Sequence, residues 1–270
     1  MPPAEAVPAA TIMLLREGSA SPEVLMLERH AKSEFLPDLY VFPGGRVDPG
    51  DHELADRVGG LTAADATKLA TSVDPGAALA FFVAAIRETF EEAGVLLARR
   101  RGERALVSGA LAAEVSAHRL SIQDGTTPLR EIVESYDLEL AADQLSVHGH
   151  WITPEIVPRR FDTLFFTAVA PRDHEAAHDG VESTDHVWIR PDDAIAQAKR
   201  KQRQMIFPTL ANLQTIAGFP SVDQAIESSR QRKVVPILPT LAGEGKDRRL
   251  VISPDAGYPV TEEKLELPGR

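Results

Sequence analysis

At 270 residues and 43% hydrophobic content, the chain is long enough for one large domain or two small ones around a substantial core. Forty acidic residues against 29 basic ones give a formal charge of −11, which disfavours a partner held by general phosphate attraction, such as duplex nucleic acid. The absence of cysteine excludes disulfides and thiolate metal sites and fits a reducing compartment.

The first eight residues lack a basic region joined to a long apolar core. The longest apolar run, 77–86, is too short to span a bilayer, so the expectation is a cytoplasmic protein without a membrane partner. Apolar runs at 11–15 and 24–27, separated by Gly18-Ser-Ala-Ser-Pro22, read as strand, turn and strand. Residues 39–42 give a third strand ending at Pro43-Gly44-Gly45, where glycines allow close approach and let a carbonyl face a cation; an ordinary Pro-Gly turn is the bland alternative. Thr62, with Asp65 three residues on, caps a short helix to about residue 70. Asp74-Pro75 starts a longer helix to about Leu97, with Gly94 near its end where a left-handed turn needs it.

That helix carries the main chemical signal. Glu88, Glu91 and Glu92 lie three and four residues apart and project from about one turn. Carboxylates so close repel one another unless a cation neutralises them, and an oxygen-only donor set suits a hard dication such as Mg²⁺ or Mn²⁺. Phe82, Ile86, Phe90, Ala93 and Leu97 form an apolar stripe on the opposite face.

Arg99-Arg-Arg101 reads as a solvated helix C-terminus, with phosphate binding as the alternative. Residues 106–120 and 128–136 read as helices over one edge of the site, and 145–152 alternates as a strand. His148 and His150 would share one face of that strand as a packed or solvated pair, since no third nitrogen ligand is nearby in sequence. Arg159 and Arg160 open the strand at 163–169, where two guanidinium groups could hold a diphosphate; an ion pair between one of them and Asp162 is the alternative.

His174-Glu-Ala-Ala-His178 matches H-E-x-x-H, the pattern of zinc hydrolases, but Pro171 and Asp179-Gly180 leave room for barely more than one helical turn. The 191–201 segment reads as a helix with acids first and Lys199, Arg200 and Lys201 last, as the dipole prefers. Helices are expected at 208–217 and 222–229. Strand-like runs at 234–238 and 250–252 would extend the fold or meet a second copy of the chain in a homodimer.

The run Arg87-Glu88-x-x-Glu91-Glu92-x-Gly94-Val95, with Phe42-Pro43-Gly44-Gly45 upstream, resembles the Nudix box, G-x5-E-x7-R-E-U-x-E-E-x-G-U with U aliphatic. Asp51 stands where the box has Glu, Thr89 replaces the aliphatic U, and the Arg stands at 87 rather than 59, an insertion of 28 residues. This split box, together with 158–166, resembles the Nudix branch that includes peroxisomal coenzyme A diphosphatases, although the terminal Glu-Leu-Pro-Gly-Arg is not a peroxisomal address.

The resemblance implies a Nudix-type α/β/α sandwich with a mixed central sheet. The Nudix domain would occupy 1–204, with insertions at about 48–74 and 99–143, followed by an extension at 205–270. It implies a metal-dependent hydrolase of a small-molecule nucleoside diphosphate linked to another moiety, with coenzyme A or acyl-coenzyme A as the branch's substrates. By that resemblance Gly45, Glu88, Glu91 and Glu92 hold Mg²⁺ or Mn²⁺, and Arg87 orients the carboxylates. Phe42, Arg159 and Arg160 meet substrate, and Glu182 supplies a loop carboxylate, with Glu175 and Asp185 as substitutes. Two competing readings remain: a non-catalytic nucleotide sensor of the same fold, and a zinc hydrolase through His174 and His178.

Overall fold

The computed structural model describes residues 3–30, 39–171, 176, 178, 180 and 183–265. Strands β1 (Ala6–Arg16) and β2 (Glu23–Arg29) form the expected antiparallel hairpin. Alternation along β1 sends Ala10, Ile12 and Leu14 to one side of the sheet and Met13 and Leu15 to the other, so a single strand feeds two cores. β3 (Tyr40–Val41) pairs with β2, and β4 (Gly44–Arg46) pairs with β1, so Gly44 and Gly45 belong to a short strand and not to a free turn.

The first insertion folds locally as α1 (Pro49–Glu53), β5 (Val58–Gly59) and α2 (Ala63–Leu69). Thr62 caps α2 by accepting the Asp65 N–H, as its sequence spacing suggests. α3 (Ala78–Ala93) begins later than Asp74-Pro75 suggests and ends where Gly94 adopts φ 70°, a left-handed conformation that costs a glycine little. The helix is not simply two-faced. Every residue except Glu88 is buried, because the insertions cover the side that the apolar stripe leaves open.

β6 (Ala98–Arg100) follows, which corrects the reading of Arg99 as part of a solvated helix end. Next come α4 (Gly109–Ser116), α5 (Arg119–Gln123), α6 (Leu129–Ser135) and β7 (Leu138–Ala141). Strands β5, β7 and β6 join in a small sheet of their own, which links the two insertions. β8 (Ser146–Ile152), β9 (Arg160–Val169) and β10 (Ser183–Ile189) return to the main sheet, and α7 (Pro191–Lys199), α8 (Phe207–Ile216) and α9 (Val222–Gln231) follow. The chain closes with β11 (Pro236–Ile237), β12 (Thr240–Ala242), β13 (Arg249–Val251) and β14 (Glu262–Lys264).

The central sheet runs β10-β2-β1-β9-β8-β11, with β3 and β4 attached to β2 and β1. Its β1–β9 pairing is parallel and its β8–β9 pairing antiparallel, so it is mixed. One face packs on α3 and the insertion helices. The other packs on α7, α8 and α9, giving the α/β/α sandwich. Residues beyond 205 therefore supply much of the second helical layer, and β11 adds an edge strand. Among the described residues no helix is long and apolar enough to cross a membrane.

A bulge at His148 separates the two histidines expected on one strand face. His148 turns towards the second layer, with its ring nitrogens 2.8 Å from Ser229 Oγ and 2.6 Å from Thr215 Oγ1; complete burial lowers its pKa to about 3. His150 lies on the other side and contacts Ser72, at 2.8 Å, and Asp162.

Candidate active site

The insertion between the two parts of the carboxylate motif folds out of the way, and the parts meet at Arg87. Arg87 projects from α3 and grips Asp51 on α1 with two bonds, Nε to Oδ1 at 2.9 Å and Nη2 to Oδ2 at 3.0 Å. The same Nη2 donates to the Arg46 carbonyl at 2.8 Å. Nη1 turns back along the helix to Glu88 Oε1 at 2.9 Å and Glu91 Oε2 at 3.0 Å. One guanidinium thus fixes strand β4, helix α1 and two of the three helix acids.

Asp51 is 1% exposed, and its remaining need is met by the Asp48 N–H, which donates to Oδ2 at 2.8 Å. Asp48 caps α1 and Pro49 takes its first position, which explains why a helix forms immediately after β4. Asp48 also lines the cleft, with Oδ2 3.8 Å from Arg87. The sequence carries this cap, Asp-Pro-Gly-Asp over 48–51, as a readable signal. Thr89, in place of an aliphatic residue, is fully buried and satisfied by donating to the Ala85 carbonyl at 2.6 Å.

The third acid is held from the strand side: the Gly44 N–H donates to Glu92 Oε2 at 2.9 Å. A methyl group on Gly45 would collide with the Glu88 carboxylate, so any larger residue there would displace that acid. Burial raises the Glu91 pKa, Arg87 opposes that shift, and Asp51 and Asp48 add to it; the net direction is upward. Burial alone would lower the Arg87 pKa, but the Asp51 hydrogen bond and the Glu88, Asp51 and Glu91 charges outweigh it and keep the group charged.

Acids exceed the single guanidinium among them, and all their donor atoms are oxygen. The residues present therefore fit a hard dication better than a thiophilic metal.

Asp48, Arg87, Glu88, Glu91 and Glu92 line one part of a cleft of about 1570 Å³, with Asp51 buried behind Arg87. Phe42 is 3% exposed, belongs to the second core and also lines the cleft. Of the two arginines expected at a diphosphate, only Arg159 lines it, with its guanidinium 5.6 Å from the Phe161 ring. Arg160 is buried and donates to the Thr153 carbonyl at 2.9 Å and the Ala4 carbonyl at 2.7 Å, which corrects its reading as a substrate contact. Asp162 meets His150 and leaves both arginines to other partners.

On the insertion side, Arg119 of α5 donates to the Glu91 carbonyl at 2.8 Å, and Gln123 reaches the cleft. Glu182, Glu175 and His174 lie outside the described residues. His178, Asp185 and His186 place donor atoms within 4.8 Å of one another, with the two Nδ1 atoms 3.0 Å apart.

The family model of the NUDT19 Nudix domain matches residues 56–216, more than half of the chain. Acyl-coenzyme A diphosphatase NUDT19 of Gallus gallus is 27% identical over 252 residues, covering 80% of this chain and 66% of that protein. The Homo sapiens protein of the same name is 27% identical over 231 residues, covering 74% and 61%. The chain thus spans less than two thirds of the length of these curated relatives. Among solved structures, a NUDIX hydrolase from Alicyclobacillus acidocaldarius is 28% identical, with a TM-score of 0.69 over 83% of this chain and 96% of that one.

Proposed function

Because the chain belongs to the family of the NUDT19 Nudix domain, we propose that it is a metal-dependent diphosphatase acting on a nucleoside diphosphate linked to another moiety, with coenzyme A or an acyl-coenzyme A as substrate. The observation that carries this reading is the Arg87 junction. It binds Asp51 and Arg46 on one side of a long insertion to Glu88 and Glu91 on the other, with Glu92 on the Gly44 N–H. The names of the curated relatives support the substrate.

Glu88, Glu91 and Glu92 would hold Mg²⁺ or Mn²⁺, which when bound neutralises diphosphate charge and activates water for attack on phosphorus. The chain's own residues supply position. Arg87 bonds to both Glu88 and Glu91 and holds the two carboxylates in place, which limits the reorganisation needed when substrate arrives. Gly44 offers its N–H to Glu92, and Gly45 lies directly against the Glu88 carboxylate, which a side chain there would displace. Arg159 at the cleft wall offers a forked donor to phosphate oxygens.

Incubating the protein and Mg²⁺ with coenzyme A, ADP-ribose, dinucleotides and nucleotide sugars, with products identified by mass, tests the reading. Cleavage at the diphosphate supports it. Tight binding with no turnover of any member would favour the nucleotide sensor.

A further inference from the structure

The cleft has an electrostatic character opposite to that of the chain around it. The whole protein has 29 basic and 40 acidic residues. Once Arg87 and the acids around it (Asp48, Glu88, Glu91 and Glu92) are set aside, the remaining cleft lining contains seven Lys or Arg and one acid, Glu263. Such a wall focuses potential favourable to anions. Three of its cations, Lys199, Lys201 and Arg203, come from the end of α7 and the segment just after it.

Two local features set this group apart from ordinary surface lysines. Helix α7 ends in a Schellman motif, with the Lys201 N–H on the Ala198 carbonyl at 2.9 Å and the Gln202 N–H on the Gln197 carbonyl at 3.0 Å. The left-handed position in that motif is Lys201, at φ 56°, where glycine is the unstrained choice. A lysine here costs the fold, and the residue lines the cleft.

Arg203 lies with its guanidinium 4.0 Å above the Tyr40 ring and its Nε on Gln197 at 2.6 Å. Its Nη1 is buried without a hydrogen-bond partner among the described residues. The group is also anchored near the acids. The Tyr40 N–H donates to the Gln204 carbonyl at 2.9 Å, and five residues of extended chain, about 18 Å at most, separate Tyr40 from Gly45.

We infer that Lys199, Lys201 and Arg203 form a second anion subsite, which takes a phosphate monoester on the ribose of the same substrate whose diphosphate lies at the α3 carboxylates. This rests on the diphosphatase reading and deepens it. Nucleotides with an additional ribose phosphate, as coenzyme A has, are selected over those with a diphosphate alone.

Calorimetric titration of the full chain without added metal, using adenosine 3′,5′-bisphosphate and adenosine 5′-monophosphate, tests the subsite apart from catalysis. The expected result is at least about tenfold tighter binding of the bisphosphate, the scale of one charge-assisted contact. Lys201→Gly, which suits the left-handed backbone and so keeps or raises the melting temperature, reduces that preference, and Lys199→Ala reduces it further. Equal affinities in the unmodified protein, or a preference that survives both substitutions, would overturn the subsite. Equal affinities in the unmodified protein while it still hydrolyses coenzyme A sink the subsite alone. A retained preference with no diphosphate hydrolysed sinks the catalytic reading alone.

Discussion

Arg87 and Arg99 are both buried arginines surrounded by carboxylates, yet their surroundings differ in a way that separates a site from a brace. Arg99 binds Asp143 with two bonds, at 2.8 and 3.1 Å, and Glu139 with one at 2.8 Å, tying β6 to β7 and the turn after it. Its partners' side chains are 20 and 30% exposed, and none of the three lines the cleft. Arg87 meets three carboxylates whose side chains are at most 13% exposed, with Glu92 and Asp48 close by. Ion pairing alone does not mark a site. A surplus of acids, turned towards a cleft and held rigidly, does.

The largest effect that would break this contrast is at Glu92. Glu92→Gln keeps a hydrogen-bond acceptor for the Gly44 N–H but removes a charge. Steady-state hydrolysis should fall by about 10² to 10⁴-fold, consistent with several kcal/mol of lost charge stabilisation, while circular dichroism is unchanged. Arg87→Met strands a buried Asp51 and should cost about 3–5 kcal/mol in urea unfolding along with most activity.

Arg99→Met supplies the matching control. Its partners can turn to water, so denaturant unfolding should show about 1–3 kcal/mol lost, with kcat essentially retained. A large fall in kcat there would erase the distinction between the two clusters. Gly45→Ala sharpens it from the strand side. The new methyl displaces Glu88, and kcat should drop by about tenfold or more, as small misplacements do, with a melting temperature lowered by only a few degrees.

Much of this architecture is legible in local periodicity and caps. The spacing of Glu88, Glu91 and Glu92, the Thr62 cap and the left-handed Gly94 are short-range features, and each occurs as its sequence suggests. The sandwich architecture implied by the family resemblance is also the one observed. What stays hidden in the sequence depends on distant partners. Nothing local says that Arg160 turns to Thr153 and Ala4 while Arg159 lines the cleft, or that a bulge puts His148 and His150 on opposite faces. Arg99 reads as a helix end because its strand partner, β7, lies 40 residues on in the register. The Asp48-Pro49 cap is readable, and with it the helix that carries Asp51 to Arg87.

We propose that a diphosphate is hydrolysed at the α3 acids, which Arg87 joins to β4 and α1. The most direct test is incubation of coenzyme A with the unmodified protein and with Glu92→Gln, each with Mg²⁺, with products identified by mass. The unmodified protein should cleave the diphosphate into two phosphate monoesters, and the folded variant should do so at least about a hundredfold more slowly. Equal cleavage by both would contradict the proposal.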